Sequence, residues 1–219
     1  MKMILLINKN IQDYDILYTL FIYMIYELHI TIDNDIRFIE KFKKDCLTLN
    51  VKPLVIDTET SSCNIQVMTS SCYNNNDYIQ EVINLSNSLK SFGYDIKRCK
   101  VEIKPNIEKV NDNFIYFESH LRLKIDKNIE ECKLVLLKDF CKVMNFHYSK
   151  NLFKSDIDYN YQMITYRIDK PCYTSFIEHI NIMKDFLTDK NIIFDKIEIE
   201  ECVLDTNINI DKNWLYEKQ

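Results

Sequence analysis

The chain has 219 residues, 47% of them hydrophobic and 28% charged, with a formal net charge of -5. That balance excludes a disordered chain and gives enough apolar surface for one large domain or two small ones. The negative sign disfavours nucleic acid as a partner, because neutralising phosphates takes an excess of Lys and Arg.

In chain order, the first apolar run is Ile16 to Ile25, broken by Tyr18, Thr19 and Tyr23. It is about ten residues long against roughly 20 for a bilayer span, so it predicts a core helix or strand, not a membrane segment. No secretory cleavage site follows it, which points to a cytoplasmic protein. Strand-like segments are predicted at 26–32, 52–57, 64–70 and 96–104, then at 114–125, 146–153, 161–168 and 193–203. Helical spacing recurs between them at Ile36, Ile39, Phe42, Cys46 and Leu49, and at Ile79, Val82, Ser86 and Leu89. The second half repeats it at Ile129, Cys132, Leu136, Phe140 and Val143, and at Phe176, Ile180, Met183 and Leu187. Gly93, the one glycine of the chain, stands where a left-handed helix cap would use it. Pro171 marks the turn into the last helix, and Pro105 with Asn106 divides a unit 1–105 from a unit 106–219. Asp205, Asn207, Asn209 and Asp211 alternate like calcium-loop residues but lack that loop's glycine and closing Glu, so they read as a turn. Trp214 is expected to tether the C-terminus to the core.

The two halves match each other. Glu27-Leu28-His29 resembles Glu118-Ser119-His120, Gln66-x-x-Thr69 resembles Gln162-x-x-Thr165, and Lys100-x-Glu102 resembles Lys196-x-Glu198. From Gln66 to Lys100 and from Gln162 to Lys196 the separation is 34 positions in both cases. Matched motifs in matched order predict an internal duplication. Each half reads strand, helix, strand, strand, helix, strand, so the expected fold is α+β, a tandem pair of ferredoxin-like units whose antiparallel sheets carry helices on one face.

Alternation along the strands then predicts an apolar helix-side face and a polar open face. Leu28, Ile30 and Ile32 oppose Glu27, His29 and Thr31; Leu121 and Leu123 oppose Glu118, His120 and Arg122. Ile164 and Tyr166 oppose Thr165 and Arg167, and Val101 opposes Lys100 and Glu102. If the open faces meet, these groups line a common cleft, where buried charges must pair or bind an ion.

Three chemistries fit such a cleft. In the first, His29, His120, Thr31, Glu27 and Glu118 act on a small anion that Lys100, Arg122, Arg167, Thr69 and Thr165 bind. His29-Ile30-Thr31-Ile32 resembles the His-x-Thr/Ser motif of the two-histidine phosphoesterases, which join two such lobes and so imply a phosphate-containing substrate. The second motif, His120-Leu121-Arg122, departs from that pattern by lacking the hydroxyl. In the second, His29, Glu102, His120 and Glu198 hold a divalent metal, since two His and two carboxylates suit Zn, Fe, Mn or Ni. His on the first strand and Glu on the last resembles the vicinal oxygen chelate superfamily, whose modules lack the second helix inferred here. In the third, acids and bases neutralise one another across the strands.

Eight cysteines are present and none forms a C-x-x-C pair, so reduced thiols are expected, with Cys46, Cys132 and Cys141 on apolar helix stripes. The absence of alanine and the wealth of Ile, Asn and Lys resemble the coding bias of AT-rich genomes such as mimivirus-like giant viruses. That likeness implies a host cytoplasm and no activity. Two functions stand open: a small hydrolase or lyase acting on an anionic molecule between the repeats, or a non-catalytic viral scaffold that binds a partner.

Overall fold

The computed structural model describes residues 24–33, 38–58, 65–74, 77–106, 108–129, 131–155, 157–170 and 172–211. Most of the Ile16 to Ile25 run, and Ile36, Cys63, Pro171 and Trp214, lie outside them. The first half contains β1 (Tyr26–Ile32), α1 (Ile39–Thr48), β2 (Lys52–Asp57), β3 (Ile65–Tyr73), α2 (Tyr78–Ser91) and β4 (Ile96–Ile103). The second contains β5 (Tyr116–Asp126), α3 (Glu131–Val143), β6 (His147–Ser155), β7 (Tyr159–Ile168), α4 (Tyr173–Asp189) and β8 (Ile193–Asp205), followed by a short 3₁₀ turn, Ile208–Asp211.

The architecture corrects the expected pair of ferredoxin-like sheets. All eight strands form one closed antiparallel barrel in the order β1-β3-β2-β6-β7-β5-β8-β4. The physical reason is the edges. Two separate four-stranded sheets would leave β2, β4, β6 and β8 with unpaired N–H and C=O groups, and closure removes every edge. β4 meets β8 from Lys100↔Asp205 to Ile103↔Glu201, and β2 meets β6 at Ile56↔Asn151 and Asp57↔Lys150. The halves therefore join side by side as one wall, and their polar faces become the inside of a single tube.

The apolar face lies outside, under the helices. Leu28, Ile30, Ile32, Val101 and Ile103 pack with Phe42, Cys46, Val82, Leu85 and Leu89 in one core. Leu121, Leu123, Ile164 and Tyr166 pack with Leu137, Cys141, Phe176, Ile180 and Met183 in the other. The stripe expected on α3 is one residue out of phase: Leu136 and Val143 are exposed, while Leu137 and Cys141 are buried. Cys132 is exposed as well, against the expectation of a buried thiol. Burial pushes the Cys46, Cys141 and Cys202 thiols up to about 12, which leaves them inert at neutral pH. No helix of the described residues is long and apolar enough to cross a membrane.

All four helices end alike. Asn50, Gly93, Asn145 and Asn191 take positive φ one residue past the C-caps of α1, α2, α3 and α4. The next amide reaches back to the helix in each case, Val51 to Cys46, Tyr94 to Leu89, Phe146 to Cys141 and Ile192 to Leu187, which is the Schellman bond. Asn tolerates the left-handed region better than other residues with a Cβ. Gly93→Ala is expected to cost about 1–2 kcal/mol. That cost is all backbone strain, because a Cβ at Gly93 meets nothing within 4 Å. Urea titration should show a lower midpoint with an unchanged slope.

Candidate functional site

The barrel encloses a cavity of about 390 Å³. Its charged wall comes from β1, β4, β5 and β8, which turn Glu27, His29, Thr31, Arg98, Lys100, Glu118, His120 and Glu200 inward. β2, β3, β6 and β7 add the apolar side chains Leu54, Ile56, Met68, Phe153 and Met163, set among polar ones such as Gln66, Asn151 and Gln162. The two ends of the tube differ in chemistry.

One end is sealed by ion pairs. Arg98 donates to Asp205 at 2.9 and 2.5 Å and to the Tyr116 hydroxyl at 3.1 Å. Its third nitrogen lies 2.7 Å from Asp211. Asp211 also accepts from Arg167 at 2.9 Å and from Gln66 at 2.9 Å. Arg98, Arg167, Asp205 and Asp211 expose at most 4% of their side chains. Burial alone would raise the Asp205 carboxyl; the Arg98 bonds outweigh it and hold Asp205 below the usual carboxylate range.

At mid-barrel the acids and histidines converge. His29 Nε2 is 3.2 Å from Glu102 and 3.4 Å from Glu27, which also accepts from Ser70 at 2.8 Å. Lys100 Nζ lies 2.9 Å from Glu102 and 3.2 Å from Glu118, and Arg167 donates to Glu118 at 3.0 Å. Burial pushes both carboxyls up. The Arg167 and Lys100 charges hold Glu118 well below its ordinary value regardless, and Lys100 with His29 brings Glu102 down to about 2. For Glu200 no Lys or Arg at ion-pair distance is seen among the described residues: burial and the charges of Glu102, Glu27 and Glu118 outweigh Lys100 and raise it well above the usual range. Burial lowers His120 despite Glu118 beside it. His120 Nδ1 is 3.0 Å from the Thr165 hydroxyl, while Nε2 sits 3.6 Å from Glu200 and 3.7 Å from Glu118. Both of the latter distances exceed a hydrogen bond, so Nε2 is left for a guest.

Strand register changes which residues correspond. Across β1 and β4, Glu27 faces Glu102 and His29 faces Lys100; across β5 and β8, Glu118 faces Glu200 and His120 faces Glu198. The partner of Glu102 in the second half is therefore Glu200, two positions beyond the Glu198 expected to bind metal. Glu198 instead pairs with Lys196 toward solvent. The Gln-x-x-Thr match is also one residue out: His29 faces Ser70, and His120 faces Thr165. Thr69 accordingly lies off the cavity, its hydroxyl accepting from the Ile30 amide at 3.3 Å.

Of the expected site residues, Glu27, His29, Thr31, Lys100, Glu118, His120, Arg122, Thr165, Arg167 and Glu198 line the cavity. Thr31 and Arg122 do not come together. Because β1, β4, β8 and β5 are successively antiparallel, β1 and β5 run in opposite directions, and the residues two past each histidine point to opposite ends. Thr31 faces Arg98 at the sealed end, and Arg122 faces Lys196 at the other. The sequence reading left Glu200 without a role and took Asp205 and Asp211 for a turn. The two acids Asp205 and Asp211 are buried counter-ions of Arg98 and Arg167.

Glu102, His120 and Glu200 each offer a ligand atom within 4.8 Å of the others, a donor set that suits a divalent cation. Lys100 already pairs with Glu102 of this set at 2.9 Å, so a metal would compete with its ammonium for that carboxylate.

No protein-family model and no curated protein matches the chain. Among solved structures it is similar to a candidate monooxygenase of Fusobacterium nucleatum, at 11% identity over 83% of this chain and 93% of the other, with a TM-score of 0.35. A heme-binding protein of Thermus thermophilus matches at 9% identity over 82% and 91%, with a TM-score of 0.31. The small subunit of acetolactate synthase from Thermotoga maritima matches at 8% over 83% and 96%, also at 0.31. At these scores no activity passes from them to this chain.

Proposed function

We propose that the barrel is an enzyme that moves a proton on an enclosed small anionic molecule, in a lyase-type elimination. The observation that carries this reading is the setting of His120, whose unbonded Nε2 faces the cavity between two carboxyls of opposite character. Two acids pushed apart in pKa beside one imidazole are the usual arrangement of an acid/base pair. His120, neutral at pH 7, takes a proton from carbon. The C–H electron pair forms the new double bond as the bond to the leaving group breaks, and Glu200 gives its proton to that group. Glu118, kept ionised by Arg167 and Lys100, stabilises the imidazolium that forms. Phosphodiester hydrolysis is less well served, since Thr31 and Arg122 stand at opposite ends and cannot clamp one phosphate.

The test screens small organic acids for a rise in melting temperature, then incubates those that bind in D₂O. Wild type is expected to exchange a C–H hydrogen or release an unsaturated product, seen by NMR. His120→Gln should slow this by about 10²-fold or more. Binding without exchange or product in wild type would make the barrel a binding scaffold.

A further inference from the structure

The geometry points to the orientation and class of the guest: an organic acid with a flat or aliphatic body, held by its carboxylate or phosphate at the open end of the barrel, away from mid-barrel. This deepens the proposed function and rests on the same cavity. It is carried by the distribution of charge and apolar surface along the tube.

The open end is basic. Lys52, Arg122, Lys154 and Lys196 line the cavity there. Lys196 is about half exposed at 48% and Arg122 is 24% exposed, against 2–4% for the arginines that seal the other end. These cations crowd one another: after desolvation, the charges of Arg122, Lys52 and Lys196 all depress Lys154, with Asp195 opposing. Asp195 is taken up by Arg122 in a two-bond pair at 2.7 and 2.9 Å, and Glu198 by Lys196. No such partner is seen among the described residues for Lys52, and Lys154 is seen only over the Tyr161 ring, at 5.4 Å. An anion placed among these four groups relieves their mutual repulsion.

Mid-barrel has the opposite balance. Glu27, Glu102, Glu118 and Glu200 crowd the two histidines, and the cations that reach them are Lys100 and Arg167. A second anion there would face an excess of carboxylates in a poorly screened interior. Leu54, Ile56, Met68, Phe153 and Met163 line the same cavity. A pocket of this size with such apolar side chains beside its polar ones selects a body that buries carbon against them. The guest therefore enters body first, leaves its anion at the mouth, and presents a carbon remote from that anion to His120 and Glu200.

Calorimetric titration with 2-naphthoate and 2-naphthyl phosphate tests this. At least one of them is expected to bind, and to bind at least tenfold tighter than 2-naphthylmethanol, the neutral isostere. That advantage should shrink with added salt and vanish in Lys52→Met/Lys154→Met. Leu54→Ser should weaken acid and alcohol alike. No binding of either acid, equal binding of acid and alcohol, or unchanged acid binding in the double variant would overturn the assignment. The outcome is separable from the catalytic reading: acid binding that depends on the mouth, without proton exchange for any guest, keeps the orientation and removes the enzyme.

Discussion

Replacing Arg98 with methionine is expected to lower the unfolding free energy by about 3–5 kcal/mol, the usual loss when a buried ion pair keeps one uncompensated charge. Arg98 supplies two hydrogen bonds to Asp205 and a third contact to Asp211. Without it, among the described residues, buried Asp205 keeps the Tyr116 hydroxyl and the Asn207 amide, while Asp211 keeps Arg167 and Gln66. The companion variant Arg98→Met/Asp205→Asn should recover more than half of the loss, because it removes the stranded charge. Arg122→Met, at the open end and partnered by the partly exposed Asp195, should cost about 1 kcal/mol or less. Urea titration of the three variants reads these differences directly. The pH dependence follows by linkage. The folded values of Asp205, Glu118 and Glu102 lie below their unfolded ones, so the stability they contribute is present above about pH 4 and lost as the pH falls through the folded values. In Arg98→Met the Asp205 share of that acid limb should disappear. Equal losses for Arg98→Met and Arg122→Met would mean that the sealed end does not hold the barrel together.

What the sequence allowed to be read, and what it hid, follows from which signals are local. The face each side chain takes was legible because strand alternation has period two and the apolar set Leu28, Ile30, Ile32 admits one phase. The α4 stripe was legible for the same reason: Phe176, Ile180, Met183 and Leu187 are all buried. The α3 stripe was not, because Leu134, Val135, Leu136 and Leu137 are four apolar residues in a row, and such a run fixes no helical phase. Closure of the barrel was hidden because nothing local distinguishes an edge strand that stays free from one that finds a partner across the molecule, and the two β2–β6 pairs bridge about 95 positions. The β8 register was hidden because the Lys-x-Glu match aligns Glu198 with Glu102, whereas the ladders pair Glu27 with Glu102 and Glu118 with Glu200. Pairing between strands is not read from a motif along one of them. The three Asn caps were hidden behind the single Gly93, although Asn in the left-handed region has a side-chain reason of its own.

Replacing Glu200 with glutamine is expected to raise stability at pH 7 by about 1–2 kcal/mol, the range of a single favourable substitution, and to lower activity sharply. Glu200 is half-buried beside Glu102, Glu27 and Glu118, and its folded value lies well above the unfolded one. Its contribution is therefore fully present below about pH 4.5, where both states are protonated. It is lost as the pH climbs from the unfolded value towards the folded one, because the unfolded chain ionises and the folded chain does not. Glutamine keeps the shape and has no charge to withhold, so the gain should be absent at pH 4 and grow towards neutrality. His120 acts in the other sense. Its folded value is depressed, so its contribution is present above about pH 6.5 and lost as the pH falls. For the reaction both groups must hold their opposed states together, neutral imidazole and protonated carboxyl. The rate is then expected to fall on the acid side as His120 takes up a proton and on the alkaline side as Glu200 ionises. The alkaline limb should be missing from whatever activity Glu200→Gln retains. Stability gained where turnover is lost marks Glu200 as a carboxyl kept protonated for the reaction at a cost to the fold. A loss of stability at pH 7 would make it a structural hydrogen-bonding group, and the acid in the proposed elimination would have to be another residue.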